Sequence, residues 1–171
     1  GESTPSSMWW KPAMKRIWEY NCEMKLIAIL RNPATRAYSN WQMEVKKGRE
    51  TEKMPLTLKL EEERCKSALP NQHRVYSYLS RGMYTEQIKR IWKYFPRRNL
   101  KLIKQESLQE KPSDTLNEIY EFLEVSSREF QGKKNVKSWN SEKRDGARKT
   151  KTNILLTENE EIETLKILAE I

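Results

Sequence analysis

The clearest hydrophobic pattern in the chain is a short, nearly continuous apolar run at Met24–Leu30, with the sequence MKLIAIL. Such a run is typical of a strand that is buried on both faces of a parallel sheet. It stops at Arg31, and the next two residues are Asn32, which suits a helix N-cap, and Pro33, which suits the first helical position. Residues 34–48 then continue with helical spacing and end in a glycine, which favours helix termination. The segment predicts a strand, an abrupt polar turn and a helix, which together form the first half of a βαβ unit.

A second strand follows later in the chain, between two further helices. Tyr84–Phe95 is strongly amphipathic and ends before a proline, which predicts a helix. The segment NLKLIKQE at Asn99–Glu106 predicts a strand, with Leu100, Leu102 and also Ile103 as candidates to face inward. Pro112–Glu124 again has the pattern of a helix that begins with proline. The order strand, helices, strand, helix favours an α/β fold with a parallel sheet.

The remaining segments predict helices and loops. Helical patterns occur at Lys11–Tyr20, at Thr57–Lys66 and at Glu158–Ile171, and the last of these stops without a cap, which indicates truncation there. The charged stretch Arg49–Pro55 is expected to be a mobile loop. The polar and basic stretch Ser126–Asn153 is expected to be a long loop, a kind of segment that is often functional in compact domains.

Composition narrows the class of protein without naming a function. The 171 residues are enough for one domain with a core. No apolar stretch approaches the roughly 20 residues that span a bilayer, and the N-terminal residues do not resemble a signal peptide. Cys22, Cys65 and the single His73 lack the spacing of a zinc site, so two separately buried thiols are favoured, with one disulfide as the alternative. The net charge of +9 favours a polyanionic partner, whether nucleic acid, acidic polysaccharide, anionic membrane or phosphorylated nucleotide.

The segment KLIAILRNPATRAYSNW at Lys25–Trp41 resembles a known family of enzymes. It is similar to the strand and helix that bind the 3′-phosphate in sulfotransferases that use 3′-phosphoadenosine 5′-phosphosulfate (PAPS), above all the heparan-sulfate type and its bacterial relatives. In that family an Arg ends the strand, Asn or Asp and Pro follow, and a Ser stands eight positions after the first Arg. The matching positions here are Arg31, Asn32, Pro33, Arg36 and Ser39.

Two later segments resemble the same family in the same order. SRGMYTEQIKRIWKYFP at Ser80–Pro96 carries the family's Gly-x-Tyr at the start of a helix, here Gly82 and Tyr84. The strand LKLIKQESL and the helix KPSDTLNEIYEFLEV at Lys111–Val125 follow, and three ordered pieces are far more specific than any one of them. The resemblance covers roughly residues 1–125. It implies a P-loop-like α/β sulfotransferase fold with a central parallel sheet, helix-rich here and lacking the N-terminal strands, as a single partial domain over residues 1–171.

The first motif suits phosphate recognition. Ligands of open α/β sheets bind beyond the carboxyl ends of the strands, where Arg31 is expected, and a guanidinium grips phosphate oxygens in a bidentate manner. Ser39, two turns into the helix, would add a neutral hydrogen-bond donor. Arg31 and Ser39 together would then recognise the 3′-phosphate, which PAPS has and ATP lacks. A solvated arginine and a small residue at a helix–sheet contact are the simpler interpretations of these two positions. Arg36 is expected to form a structural ion pair. Tyr84 either marks a helix start near the cofactor or packs its ring in the core.

A basic loop follows the matched segments, at Gly132–Asn153. In the heparan-sulfate-type family a loop at this place contains Lys-Gly-Arg and closes over the cofactor, and its nearest equivalent here is Gly146 followed by Arg148 and Lys149. The backbone at Gly146 would approach phosphate closely, with Arg148 or Lys149 supplying the charge. A solvated run of charges explains the loop equally well.

Two parts of the family's active site are missing from this sequence. The Lys-rich loop that holds the 5′-phosphosulfate does not occur, and by family order it is expected before Gly1, together with the catalytic glutamate. Further strands are also expected there, because two strands alone do not make a stable sheet with both faces covered. GESTP at Gly1–Pro5 resembles the family's Glu-Lys-Thr-Pro, and Ser3 stands where the family has a lysine that contributes to catalysis. This departure puts a glycosaminoglycan-type active site in doubt.

The sequence thus predicts an enzyme that moves a sulfuryl group from PAPS to a hydroxyl or amine acceptor and releases 3′-phosphoadenosine 5′-phosphate. The resemblance implies no metal, and the location is expected to be cytoplasmic. Two alternatives stay open: a basic module that binds nucleic acid or another polyanion, and a non-catalytic relative with the same fold. Nucleic acid is the less favoured partner, because the aromatic residues occupy apolar helix positions. In proteins that stack bases, aromatic residues instead alternate with Lys and Arg on a strand face.

Overall fold

The computed structural model describes residues 3–4, 6–127, 159, 163–164 and 166–167. The chain divides into two compact units. The first unit contains Asn32–Ile91, together with the described residues before Lys15 and those from 159 on. The second unit contains Lys15–Arg31 and the described residues from Trp92 to 127. The single domain over residues 1–171 stays a prediction. The elements in chain order are α1 (Ala13–Tyr20), β1 (Leu26–Leu30), α2 (Pro33–Lys46), α3 (Met54–Lys59), α4 (Glu61–Lys66), a 3₁₀ turn (Ser80–Gly82), α5 (Tyr84–Ile91), a second 3₁₀ turn (Arg97–Asn99), β2 (Leu100–Lys104), α6 (Gln105–Glu110) and α7 (Pro112–Leu123).

The second unit contains the parallel sheet that the sequence predicts. β1 and β2 pair in parallel, with Leu26 opposite Leu100 and Leu30 opposite Lys104. Parallel neighbours need a long crossover connection, and here α2 to α5 lie between the two strands in sequence. The α/β class with a parallel sheet is therefore confirmed.

Two details of β2 differ from the sequence prediction. Leu102 was among the residues expected to face inward, but it is 40% exposed, whereas its neighbour Ile103, also a candidate, is 4% exposed. Successive strand residues point to opposite faces, so burying one of this pair exposes the other. Glu106, expected at the end of the strand, lies instead in α6, because the strand ends at Lys104 and Gln105 already begins the helix.

Local chemistry sets both ends of α2. The backbone N–H of Thr35 donates to the side-chain oxygen of Asn32 at 3.1 Å, and Pro33 occupies the first turn, as the sequence predicts. At the other end Gly48 has a φ of 67°, a left-handed conformation that costs glycine little because it has no Cβ. Its N–H donates to the carbonyl of Val45 at 2.9 Å, which satisfies one of the last carbonyls of the helix.

The hydrophobic core of the first unit forms between α2, α3 and the chain that precedes α5. Its buried members are Ala37, Trp41, Val45, Met54, Leu58 and Tyr78. The indole N–H of Trp41 donates to the backbone carbonyl of Glu52 at 2.9 Å, so the one polar atom of this large side chain is satisfied inside the core. Ile167 packs against the same cluster, which ties a described residue near the C-terminus to this unit.

The segment after α2 is a loop over residues 49–53, as the sequence predicts for most of Arg49–Pro55. It differs from the prediction in two respects: Glu50, Met54 and Pro55 are buried, and α3 already begins at Met54. The single helix predicted over Thr57–Lys66 is instead divided between α3 and α4. The burial of Glu50 was not predicted because hydrophobic periodicity does not show which acidic residues the tertiary structure buries.

Candidate functional site

Arg31 immediately follows β1, at the carboxyl end of the parallel pair. Leu30, the last residue of β1, lies opposite Lys104, the last residue of β2, so both strands end at the same level. The side chain of Arg31 is half-buried. Ligands of α/β sheets bind beyond this end of the strands. Arg31 therefore occupies the kind of position that the sequence predicted for it, and it belongs to the second unit.

Ser39 and Tyr84 both lie in the first unit. Ser39 is in the middle of α2 and half-buried, between the core residues Ala37 and Trp41. Tyr84 is the first residue of α5 and is also half-buried. The structure thus brings Ser39 and Tyr84 into one compact unit and assigns Arg31 to the other.

Side chains from two helices hold the Tyr78–Met83 segment, which leads into α5. The carboxylate of Glu61, at the start of α4, accepts hydrogen bonds from the backbone N–H groups of Leu79 and Ser80 at 2.6 and 2.9 Å. The buried side-chain amide of Gln87, in α5, donates to three carbonyls of the segment at 3.0–3.5 Å. Backbone groups that regular structure leaves unpaired are therefore satisfied by side chains, which restrains the path of the segment.

The first turns of α2 approach the Tyr78–Met83 segment at two points. The guanidinium of Arg36 donates to the backbone carbonyl of Tyr78. Gly82 lies so close to Pro33 that a Cβ added to the glycine would stand 3.1 Å from the Pro33 Cβ. A side chain at this position would therefore be tight against the first turn of α2.

Glu50 is the centre of a buried polar network. Arg64 donates to both of its carboxylate oxygens, at 2.9 and 3.0 Å, in the bidentate arrangement that favours arginine over lysine. The hydroxyl of Tyr78 donates to it at 3.0 Å, and the backbone N–H groups of Thr51 and Glu52 donate at 2.9 and 3.0 Å. The Glu50 side chain is 0% exposed and that of Arg64 is 19% exposed. A carboxylate this deeply buried needs such partners, because an unpaired buried charge is strongly destabilising.

Opposing effects set the ionisation of this network. Burial by itself raises the pKa of Glu50, but the hydrogen bonds from Arg64, the Glu52 backbone and Tyr78 outweigh it and lower the pKa below 4.5. Burial also lowers the pKa of Arg64, but the carboxylate of Glu50 more than compensates and raises it. Burial and the neighbouring carboxylate both raise the pKa of Tyr78, so its phenol stays a donor. The network is therefore charged at neutral pH and is built for structure, not for proton transfer.

A stack of three side chains continues from Arg64. Its guanidinium lies 3.7 Å from the ring centroid of Tyr76, and that ring stacks on the imidazole of His73 with centroids 4.5 Å apart. The Nδ1 atom of His73 accepts hydrogen bonds from the backbone N–H groups of Val75 and Tyr76 at 3.2 and 3.1 Å. Burial and the charge of Arg64 lower the pKa of His73, which favours the neutral ring that these two bonds require.

Trp9 anchors the N-terminal residues to the first unit. The side-chain amide of Gln72 donates to the Trp9 carbonyl at 2.6 Å and accepts from the backbone N–H of Lys11 at 2.7 Å. Arg90 donates to the same carbonyl at 3.2 Å, and the guanidinium of Arg81 lies 4.4 Å from the Trp9 ring centroid. Burial lowers the pKa of both arginines.

The other site residues predicted from the sequence have different outcomes. Ser3, which stands in place of the family lysine, is exposed. Gly146, Arg148 and Lys149 lie outside the described residues, so their roles stay predictions. Of the two cysteines expected to be buried thiols, Cys65 is half-buried, but Cys22 is exposed.

Sequence reasoning missed the residues that organise the first unit. Glu50 and Glu61 were part of charged stretches, and nothing in the hydrophobic pattern separates them from solvated glutamates. Among the described residues, no group of His, Cys, Asp and Glu is arranged to hold a metal ion. The helices within the described part of the chain include none that is long and apolar enough to cross a membrane.

Comparisons with known proteins give a fold and a family. A search of curated proteins gave no match. The structure is similar to the crystal structure of a sulfotransferase from Alicyclobacillus acidocaldarius, with a TM-score of 0.70 and 22% sequence identity, over 96% of this chain and 58% of that one. That likeness shows a common fold, of which this chain spans little more than half the length. The sulfotransferase domain, as a sequence family, matches residues 6–167. With a match over nearly its whole length, the chain belongs to the sulfotransferase family.

Proposed function

We propose that this protein transfers a sulfuryl group from PAPS to a hydroxyl or amine acceptor, with Arg31 and Ser39 binding the 3′-phosphate of the donor. Membership of the sulfotransferase family supports the reaction. The observation that carries the donor site is the position of Arg31 at the carboxyl end of β1, directly before the capped start of α2. Tyr84, together with Gly146, Arg148 and Lys149 of the basic loop, is proposed to complete the nucleotide contacts.

The residues present fit a phosphate group. The guanidinium of Arg31 offers parallel N–H donors that match two phosphate oxygens, and the hydroxyl of Ser39 offers a neutral donor. At the N-terminus of α2, the side chain of Asn32 already accepts from the backbone N–H of Thr35. Side chains, more than the free end of the helix, therefore supply the proposed phosphate contacts.

The contribution of this chain to the reaction is binding and orientation. PAPS supplies the activated sulfuryl group. By holding the nucleotide through its 3′-phosphate, Arg31 and Ser39 would set the direction of the reacting end, and such positioning accounts for a large part of catalysis in transfers of this type. Ser3 carries no charge at neutral pH, so it cannot replace the electrostatic contribution of the family's lysine. We assign the general base to no described residue.

Calorimetric titration with 3′,5′-bisphosphoadenosine and with AMP tests the donor site. The bisphosphate is expected to bind more tightly than AMP, because only the bisphosphate has the 3′-phosphate. Arg31→Ala is expected to weaken bisphosphate binding by about 1.5–3 kcal/mol, the value of hydrogen bonds to a charged group, and Ser39→Ala by about 0.5–1.5 kcal/mol. AMP binding is expected to change little in either variant.

Arg98→Ala is the matched control for Arg31→Ala. Arg98 is exposed, lies in the same unit and precedes β2, and its loss changes the net charge equally. If Arg98→Ala weakened binding as much as Arg31→Ala, or if bisphosphate and AMP bound alike, the assigned donor site would be wrong. A steep loss of affinity for both nucleotides with added salt would favour the alternative, a module that binds polyanions through its overall charge.

A further inference from the structure

Two contacts join the parts of the first unit that carry Ser39 and Tyr84, the residues that the proposed function places at the nucleotide. Arg36 lies one turn before Ser39 on α2, and Gly82 lies two residues before Tyr84. The guanidinium of Arg36 donates to the backbone carbonyl of Tyr78, and Gly82 packs directly against the first turn of α2. α2 and the Tyr78–Met83 segment therefore touch through a hydrogen bond and through a contact in which an added Cβ would be tight.

The ring of Tyr78 also lies in the core with Ala37 and Trp41 of α2, whereas the other hydrogen bonds of the Tyr78–Met83 segment lead away from α2. Glu61 accepts from two of its N–H groups, Gln87 donates to three of its carbonyls, and its Tyr78 hydroxyl donates to the buried Glu50. The segment is thus attached to α4, to α5 and to the buried network independently of Arg36. Losing the Arg36 bond would therefore loosen the first turns of α2 against a segment that keeps its other hydrogen bonds and its place in the core.

We propose that Arg36 is a positioning residue, which holds the first turns of α2 against the Tyr78–Met83 segment and so fixes Ser39 relative to Tyr84. The proposal rests on the proposed function, because it concerns recognition of the same 3′-phosphate. Groups that recognise a ligand must be held to within about 0.5 Å of the productive geometry by the residues that support them. A small displacement of Ser39 would therefore weaken the contact with the 3′-phosphate and leave the contacts with the rest of the nucleotide in place.

Two variants test the proposal in the full chain by titration with the bisphosphate and with AMP. Arg36→Met keeps the aliphatic part of the side chain and removes its donors. Gly82→Ala keeps Arg36 but places a Cβ 3.1 Å from that of Pro33, which pushes the segment away from α2. Each is expected to lower bisphosphate affinity about tenfold and to leave AMP affinity within about twofold, a change equal to the loss of one hydrogen bond.

Further variants separate positioning from other roles of Arg36. Arg36→Lys is expected to recover part of the affinity, because an ammonium group can donate to the same carbonyl. The double variant of Arg36→Met with Gly82→Ala is expected to lose no more than either single variant, since both disrupt one contact surface. Val45→Ala, in the buried face of the same helix, is the stability control. It is expected to lower the melting temperature and to keep the ratio of bisphosphate to AMP affinity.

The outcomes separate the alternatives. If Arg36→Met lowers the ratio but a folded Gly82→Ala does not, Arg36 contacts the phosphate directly and the positioning role is wrong. If Val45→Ala lowers the ratio as much, general loosening of the unit explains the effect and the proposal is again wrong. If the unmodified protein itself does not distinguish the bisphosphate from AMP, the proposed function fails and this inference fails with it.

Discussion

Replacement of Arg64 by methionine is expected to destabilise the protein strongly, because it leaves the carboxylate of Glu50 buried without its cation. Arg64 donates two of the five hydrogen bonds that Glu50 receives, and the Glu50 side chain has no exposed surface. Methionine keeps a flexible chain of similar length against the ring of Tyr76. Arg64→Met therefore removes the cation that pairs with Glu50 and loses little of the packing against Tyr76.

The magnitude follows from the burial of the pair. Removing one partner of a buried ion pair costs about 3–5 kcal/mol, because the remaining charge is left in a poorly polarisable surrounding. Tyr78→Phe removes one hydrogen bond to the same carboxylate but leaves the ion pair, so a smaller loss of about 1.5–3 kcal/mol is expected. Lys15→Met breaks an ion pair with Glu19 in which both side chains are more than half exposed, and it is expected to cost less than about 0.5 kcal/mol.

Urea denaturation measures these differences. The three variants are compared with the unmodified protein by the midpoint of unfolding, and an unchanged slope shows that the same amount of surface is exposed. A protein of ordinary stability has about 5–15 kcal/mol in total, so Arg64→Met can approach the limit of folding and Tyr78→Phe then carries the test. A loss below about 1 kcal/mol for Arg64→Met, or a loss for Tyr78→Phe equal to that for Lys15→Met, would contradict the assigned role of Glu50.

The pH dependence gives a second measurement of the same network. The pKa of Glu50 is lowered in the folded state, so its contribution to stability is present above the unfolded value of 4.5 and is lost as the pH falls through the folded pKa. Without Arg64, the effect of burial is less opposed and the pKa of Glu50 is expected to rise. The difference in unfolding free energy between the unmodified protein and Arg64→Met should therefore shrink as the pH falls below 4.5.

Two further predictions concern His73 and Trp41. The pKa of His73 is lowered in the folded state, so the stability that this residue contributes is present above pH 6.5 and is lost as the pH falls through the folded pKa. Because the chain has one histidine, its NMR titration is unambiguous and should give a pKa below 6.5. A titration midpoint at or above that value would contradict the two hydrogen bonds assigned to its Nδ1 atom. Trp41→Phe removes the shorter of two hydrogen bonds to the Glu52 carbonyl, which also accepts from the Thr57 hydroxyl at 3.3 Å, and leaves a smaller ring in the core. It is expected to cost about 1–3 kcal/mol in urea denaturation, whereas Trp92→Phe, at a more exposed ring, should stay within about 0.5 kcal/mol. Equal losses for the two tryptophan variants would show that the Trp41 contact is not important.

The local elements of this protein could be predicted from its sequence. The run at Met24–Leu30 predicted β1, Asn32 and Pro33 predicted the start of α2, and Gly48 predicted its end. The same run was wrong about burial on both faces of β1, because Ile27 and Ile29 are exposed. Each of these depends on residues within a few positions of one another, whose backbone preferences and capping bonds are short-range. The ordered motifs around Arg31 likewise indicated the family, because they reflect fixed spacings along the chain.

Only the tertiary structure decided which polar residues are buried and what they hold. Glu50 pairs with Arg64 and Tyr78, which are 14 and 28 positions away, and no periodic pattern connects such distant residues. The choice between Leu102 and Ile103 as the buried residue of β2 also lay beyond the sequence, since both are apolar and their alternation in a strand does not say which face is covered. The sequence by itself determined the order of elements and the family, because those rest on local preferences and spacing. The network around the Tyr78–Met83 segment was decided by folding, because burial and ion pairing depend on which distant side chains meet.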